Sequence, residues 1–305
     1  MNAVPLKYIN QSVDSDAEKF IRESENSFDE ALNSTVKRIL NCSQCNIVLL
    51  AGPSSSGKTT AAKKLSEKIR QSGKNAFTLS LDDFYFDRDS IPFGKDGLRD
   101  FESIDALDVE RIQSTFYELT TTGKTDLPVF DFKLGQRTEE TRHIELKKDD
   151  VIIVEGLHAL NPLIVSGTDS TRIFKIYISV SSRVTDDDGK IILNKRNIRL
   201  SRRLIRDSKH RNMTAESTLM QWQSVLSGED TYLYPFESFA DLKINSFHSY
   251  EPCIVKNSVL SLLKTVGTDS TVYAKAAELR AAFEKTEELG SEFLPETSLL
   301  CEFLR

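Results

Sequence analysis

Residues 52–59, Gly52-Pro53-Ser54-Ser55-Ser56-Gly57-Lys58-Thr59, satisfy the pattern G-x-x-x-x-G-K-[ST], with Thr60 following. The glycines let such a loop wrap until successive backbone N–H groups converge on phosphate oxygens. A helix starting behind it adds about half a positive charge at its N-terminus. Lys58 is expected on the β- and γ-phosphates and the Thr59 hydroxyl on Mg²⁺, so the expected ligand is ATP with Mg²⁺.

Three acids stand just past apolar runs: Asp82 and Asp83 after 76–81, and Glu155 after 151–154. In an open parallel sheet, ligands gather at the carboxyl ends of the strands, so these acids are expected to face the phosphates. Glu155 has the place of a Walker-B acid on the metal. Asp82 is suited to accept a proton from an attacking hydroxyl while steadying the metal. The competing reading is that acids commonly close strands as turn residues. Farther on, Arg199, Arg202, Arg203 and Arg206 share one broad helical face, followed by Lys209 and Arg211. Four like charges there favour an answering anion, and the guanidinium fork suits phosphate. The expectation is a lid over the transferring phosphoryl group; pairing with local acids such as Asp207 is the alternative.

The elements that must position these groups alternate. Strands are predicted at 46–51, 76–81, 151–154, 172–180 and 241–247, with a short extended piece at 127–133. Helices are predicted at 60–69, 105–119, 194–209 and 214–226. This pattern implies an α/β fold, a parallel sheet covered by helices on both faces. An amphipathic helix is predicted before residue 40, and the 255–305 stretch reads as helices interrupted from Gly290 to Pro295. The expected organisation is an N-terminal helical extension (1–45), an α/β domain that carries the phosphate-binding loop (46–250, lid about 183–213) and a C-terminal helical extension (251–305).

A net charge of −6 gives no general attraction to nucleic acid or anionic membrane. No apolar run approaches the roughly 20 residues of a membrane span, and the start lacks a secretory pattern. The expected partner is a small-molecule hydroxyl acceptor in the cytoplasm, with no nucleic acid or membrane; homo-oligomerisation stays open. Four cysteines fit a reduced compartment, and the Cys42-x-x-Cys45 pair lacks the further ligands of a zinc site. A guanine-reading N-K-x-D is not completed at Asn194-Lys195-Arg196-Asn197, which argues against a nucleotide switch.

The ordered motifs are the loop, 80–85 (SLDDFY), 101–108 (FESIDALD), 127–133 (LPVFDFK), 154–156 (VEG) and 199–207 (RLSRRLIRD). Over about 46–247 the chain resembles the phosphoribulokinase/uridine kinase family of P-loop kinases. Residues 174–179 (FKIYIS), 222–225 (WQSV), Gly228-Glu229 and Tyr234-Pro235-Phe236 are similar to its bacterial-type nucleoside-kinase-like branch, without that branch's threonyl-tRNA synthetase-like N-terminal region. The resemblance implies catalytic roles for Asp82, Lys58, Arg203 and Arg206, metal roles for Thr59, Asp82 and Glu155, and a nucleotide contact for Arg211. It places Tyr85, Phe101, Glu102 and Gln221 at the acceptor, with Asp83, Phe130, Asp131 and Arg137 beside them; Glu102 replaces an aspartate. Where uridine kinases set a tyrosine and a histidine against the pyrimidine, this chain has Phe130 and Gly135, with Gln136 adjacent. The lid is extended by 184–197. The activity implied is ATP- and Mg²⁺-dependent phosphorylation of a nucleoside-like or sugar-like hydroxyl, without strict uridine/cytidine selectivity. The alternatives are a kinase of another sugar or polyol, or an ATP-binding regulator without turnover.

Overall fold

The computed structural model describes residues 3–94, 97, 99–132 and 134–305; Lys133, the end of the predicted extended piece, and Met1 and Asn2 lie outside the described residues. A short strand, β1 (Ala3–Pro5), leads into α1 (Leu6–Asn41). Then come β2 (Ile47–Ala51), α2 (Lys58–Gln71), β3 (Ala76–Ser80), α3 (Val109–Thr121), and the pair β4 (Lys124–Asp131) and β5 (Gln136–Glu145). They are followed by β6 (Val151–Glu155), β7 (Ile173–Ser179), β8 (Arg183–Thr185), β9 (Ile191–Leu193), α4 (Lys195–His210) and α5 (Ala215–Tyr232). The chain closes with β10 (Leu242–Asn245), α6 (Glu251–Leu263), α7 (Tyr273–Phe283) and α8 (Cys301–Leu304).

The central sheet runs β10-β7-β2-β6-β3, every neighbouring pair parallel. The inner strands β2 and β6 are buried along their whole length because both faces are covered, whereas β3, β7 and β10 carry half-buried polar residues such as Thr78, Lys175 and Asn245. Val48, Leu50, Ile153 and Ile176 point to a layer built with α1, α2, α4 and α6. Ile47, Leu49, Ile152 and Tyr177 point the other way, onto Ile112 and Phe116 of α3. The expected α/β architecture is therefore present, with β2 central and its C-terminal end leading into the 52–59 loop. Among the described residues no helix is long and apolar enough to cross a membrane.

Several boundaries differ from expectation for local reasons. The helix predicted from 105 starts at Val109, where the Asp108 carboxylate accepts the Arg111 N–H (2.9 Å). Upstream, the Ser103 hydroxyl accepts the Asp105 N–H and sets a separate 3₁₀ turn, Ile104–Ala106. The helix predicted to end near 226 continues through Gly228 to Tyr232. Gly228 lies where a Cβ would sit 2.4 Å from the Glu102 Cβ, so this glycine makes room for a neighbour inside a continuing helix. The extended piece near 127 is one arm of the antiparallel pair β4–β5, whose register shifts between Pro128 and Phe130. A register shift is where a strand tolerates proline.

The 184–197 extension supplies most of the antiparallel β8–β9 pair and the first residues of α4, with β1 parallel to β8. α1 breaks at Asp16 (φ −161°), whose carboxylate accepts the Lys19 N–H and caps the second segment. Residues of α1, α6, α7 and α8 share one apolar core with α2 and α4. The expectation of reduced cysteines is corrected in part: Cys42 and Cys45 form a disulfide in the turn between α1 and β2, with Cα atoms 5.3 Å apart. A tight C-x-x-C turn brings the two residues into bonding range. Cys253 and Cys301 are free thiols.

Candidate active site

The 52–59 loop leaves β2 at Gly52, packed so closely on β7 that an added Cβ would meet the Ile178 carbonyl oxygen at 2.1 Å. Gly57 (φ +85°) turns the chain into α2, and Ser55 also has positive φ (+58°), a strained conformation of the kind found at binding sites. The hydroxyls of Ser55 and Ser56 are buried and, among the described residues, have no hydrogen-bond partner. Lys58 Nζ donates to the Pro53 carbonyl (3.3 Å).

The loop is held from behind by α4 and α5. Arg199 donates to the Ser54 carbonyl (2.8 Å) and Arg202 to the Ser55 carbonyl (3.3 Å). Arg203 reaches the Ser54 hydroxyl (2.9 Å), and Glu229 accepts the Ser54 N–H (2.9 Å). Arg199 and Arg202 are fully buried, paired two-pronged with Glu229 (2.6 and 2.8 Å) and Glu251 (2.5 and 2.7 Å). This corrects the reading of four phosphate-facing arginines. A buried guanidinium requires a carboxylate partner, and two of the four serve the scaffold of the loop. Arg203, Arg206 and Arg211 instead surround the buried Asp207 at 3.1, 2.9 and 3.6 Å. Three guanidinium charges on one carboxylate leave a positive excess. Arg203 acts on Glu102, and Arg211 on Tyr85.

Glu155, at the end of β6, accepts from Thr59 Oγ1 (3.2 Å) and Ser80 Oγ (2.9 Å). Burial, reinforced by the Asp82 charge, pushes its carboxyl up to about 7. Asp82 lies in the 3₁₀ turn Leu81–Phe84 after β3, its N–H donated to Ser80 Oγ (3.3 Å). A buried carboxylate resisting ionisation, beside a hydroxyl and a second carboxylate, is a donor set that a divalent cation would satisfy. Among the described residues no three His, Cys, Asp or Glu form a closed cage. The Thr59 hydroxyl with the Glu155 and Asp82 carboxylates fits Mg²⁺, which takes one or two protein carboxylates plus phosphate oxygens and water.

The predicted acceptor residues are only partly gathered. Burial and the Arg203, Glu229, Lys58 and Asp82 charges act on Glu102, pushed up to about 7. The Tyr85 hydroxyl donates to the Phe101 carbonyl (2.9 Å), and its ring lies 5.9 Å from that of Phe130. Asp83 is half-buried, which raises its carboxyl against the pull of Arg142. Phe101 and Gln221 are exposed. Asp131 Oδ1 accepts the Leu134 N–H (3.0 Å) in the β4–β5 turn. Arg137 departs from its expected role: its donors go to the Tyr85 carbonyl (2.9 Å), Asp108 (2.9 Å) and the Phe84 carbonyl (2.8 Å). It is a positioning residue tying the Asp82–Tyr85 turn to the base of α3. At Gly135 the Arg88 guanidinium fills the side-chain position; a Cβ there would lie 2.8 Å from its Nε.

Four residues went unassigned in the sequence. Glu229 had a weak signal, its Gly-Glu pair, but no partner pointed to its role. Arg88 had none. His158 is buried, its ring 5.9 Å from that of Tyr232, and burial draws its basicity down to about 4 against the backbone hydrogen bond with Glu102. Glu302 accepts from Thr60 N–H (3.2 Å) and Thr60 Oγ1 (2.6 Å) from 242 positions away, a distance no motif spans.

The family model "Phosphoribulokinase / Uridine kinase family" matches residues 47–251. The uridine kinase of Bacillus pumilus is 31% identical over 199 residues, covering 65% of this chain and 85% of that protein. The uridine kinase of Lactobacillus helveticus is 29% identical over 197 residues, covering 64% and 84%. In fold, the chain is similar to a Silicibacter sp. TM1040 protein described as a fructose transport system kinase (TM-score 0.52, 18% identity, 70% and 98% covered). It is similar also to a possible uridine kinase from Bacillus stearothermophilus (TM-score 0.50, 19% identity, 72% and 99% covered). Phosphate loop, strand-end acids and matched segment agree: the chain belongs to the phosphoribulokinase/uridine kinase family, and it is a phosphotransferase with a hydroxyl acceptor.

Proposed function

We propose that the chain transfers the γ-phosphoryl group of ATP, with Mg²⁺, to a hydroxyl of a nucleoside-like or sugar-like small molecule without strict pyrimidine selectivity. The observation that carries this reading is the meeting of Lys58, Thr59, Glu155 and Asp82 at the carboxyl end of the sheet. Thr59, Glu155 and Asp82 would hold Mg²⁺, which neutralises phosphate charge and orients the transferring group. Lys58 holds the phosphate oxygens. Asp82 takes the acceptor's proton as the hydroxyl oxygen bonds to the γ-phosphorus and the bond to the ADP oxygen breaks. Arg203, Arg206 and Arg211, which together outweigh the Asp207 charge, would offset the charge that moves onto the phosphates.

Selectivity rests on Phe130 and on Gly135 covered by Arg88. Phe130 offers a stacking face, and at the imidazole position the Arg88 guanidinium covers Gly135 and donates to the Phe132 carbonyl (3.5 Å) rather than to a ligand edge. An apolar pocket discriminates by only about 1–3 kcal/mol, whereas a site built to hydrogen-bond its ligand discriminates far more. ADP release over uridine, cytidine, adenosine, guanosine, free sugars and polyols tests the reading. Turnover on several acceptors within about a hundredfold of one another is expected. Exclusive use of uridine and cytidine would overturn the selectivity, and no ADP release with any acceptor would overturn the activity.

A further inference from the structure

Thr60 sits in the first turn of α2, where backbone N–H groups lack intrahelical partners and are what a P-loop offers to phosphate. The adjoining hydroxyls of Ser55 and Ser56, buried and without a hydrogen-bond partner among the described residues, mark the same loop as shaped for a ligand. Yet both Thr60 donors are already engaged by one carboxylate oxygen of Glu302, N–H at 3.2 Å and Oγ1 at 2.6 Å. Glu302 is delivered from a fixed turn. Leu299 and Leu300 are fully buried, and the methyl groups of Leu299 press on Gly57. The buried Phe303 ring carries the Arg202 guanidinium (5.3 Å), and Lys209 donates to the Leu304 carbonyl. The turn lies outside the segment matched by the family, 47–251.

Carboxylate and phosphate oxygens are alike as anionic acceptors, and one N–H cannot serve both at full strength. We propose that Glu302 is a determinant of nucleotide affinity, holding the Thr60 donors in the nucleotide-free protein and giving them up to a nucleotide phosphate. This rests on the reading of the loop as an ATP site. Once displaced, the Glu302 carboxylate stays near the phosphates and repels them, so its charge opposes binding twice.

The test is calorimetric titration of wild type and Glu302→Gln with ATP and Mg²⁺, and with ADP. The variant keeps the shape and one weaker acceptor, and leaves the buried Leu299, Leu300 and Phe303 in place. Its Kd is expected to be about three- to thirtyfold lower than wild type. In wild type, amide protection over 299–305 is expected to drop when ATP and Mg²⁺ saturate the site. An unchanged or weaker Kd, or unaltered protection, means that Glu302 only caps α2 and overturns the proposal. Failure of both proteins to bind nucleotide is a separate result: it removes the ATP site, and the competition with it.

Discussion

Asp82 and Glu102 carry opposite kinds of information at the scale of single residues. Asp82 is exposed at the mouth of the site, beside a buried Glu155 that it disfavours ionising. Asp82→Asn preserves shape and removes the proton acceptor, so kcat should fall about 10²–10⁴-fold with nucleotide Kd nearly unchanged. Steady-state kinetics with saturating acceptor measure this; a loss confined to acceptor KM would make Asp82 a binding group instead. Glu102 makes a prediction about pH. Its carboxyl is raised from 4.5 to about 7, chiefly by burial, so between those values the folded protein binds a proton that the unfolded chain has lost. Its contribution to stability is therefore complete below about 4.5 and disappears as pH rises through about 7. Glu102→Gln lacks this contribution. The Tm of nucleotide-free Glu102→Gln relative to wild type should climb across that window, and a constant difference would refute it.

α4 shows at the scale of elements what sequence spacing reveals and what it conceals. The phosphate loop, the doubly buried strands and the strand-end acids are legible because their signals are local: a fixed motif, unbroken apolar runs and acids right after them. The division of the arginine helix is not local. Arg199 and Arg202 are assigned by Glu229 and Glu251, 30 and 49 positions away, whereas Arg203 and Arg211 answer the helix's own Asp207 at i+4 and i−4. The continuation of α5 through Gly228 was hidden likewise, because the reason for that glycine is Glu102. The buried pair gives a further prediction: Glu229→Gln strands the Arg199 charge and should cost about 3–5 kcal/mol, read by urea unfolding. Arg199→Met combined with Glu229→Leu should recover most of that stability, yet leave the Ser54 carbonyl without its donor and nucleotide binding weak. Recovery of both together would show that the pair does not shape the loop.

The whole molecule is larger than the segment the family shares. α1 buries Phe20, Ile21, Phe28, Leu32, Val36 and Ile39, each worth about 1.5–3 kcal/mol when removed from water, and the turn around α8 buries Leu299, Leu300 and Phe303. Both sit in the core that covers one face of the sheet. A chain trimmed to 46–250 should therefore lack a cooperative thermal transition, whereas the full chain should have one; a sharp transition in the trimmed chain would refute this. The sequence pointed to helices at both ends but not to their membership of the core, since amphipathic spacing shows that a face is apolar and not what it meets. The anchoring of the phosphate loop to α4 and α5 has a consequence for how fast the protein captures its ligand. Because the Ser54 and Ser55 carbonyls and the Ser54 N–H are already tied down, the ordering of those peptide groups is completed when the chain folds. On the proposed reading an arriving nucleotide would meet a cradle of settled shape there, so capture would be governed by diffusion and charge, and by how readily Thr60 is released.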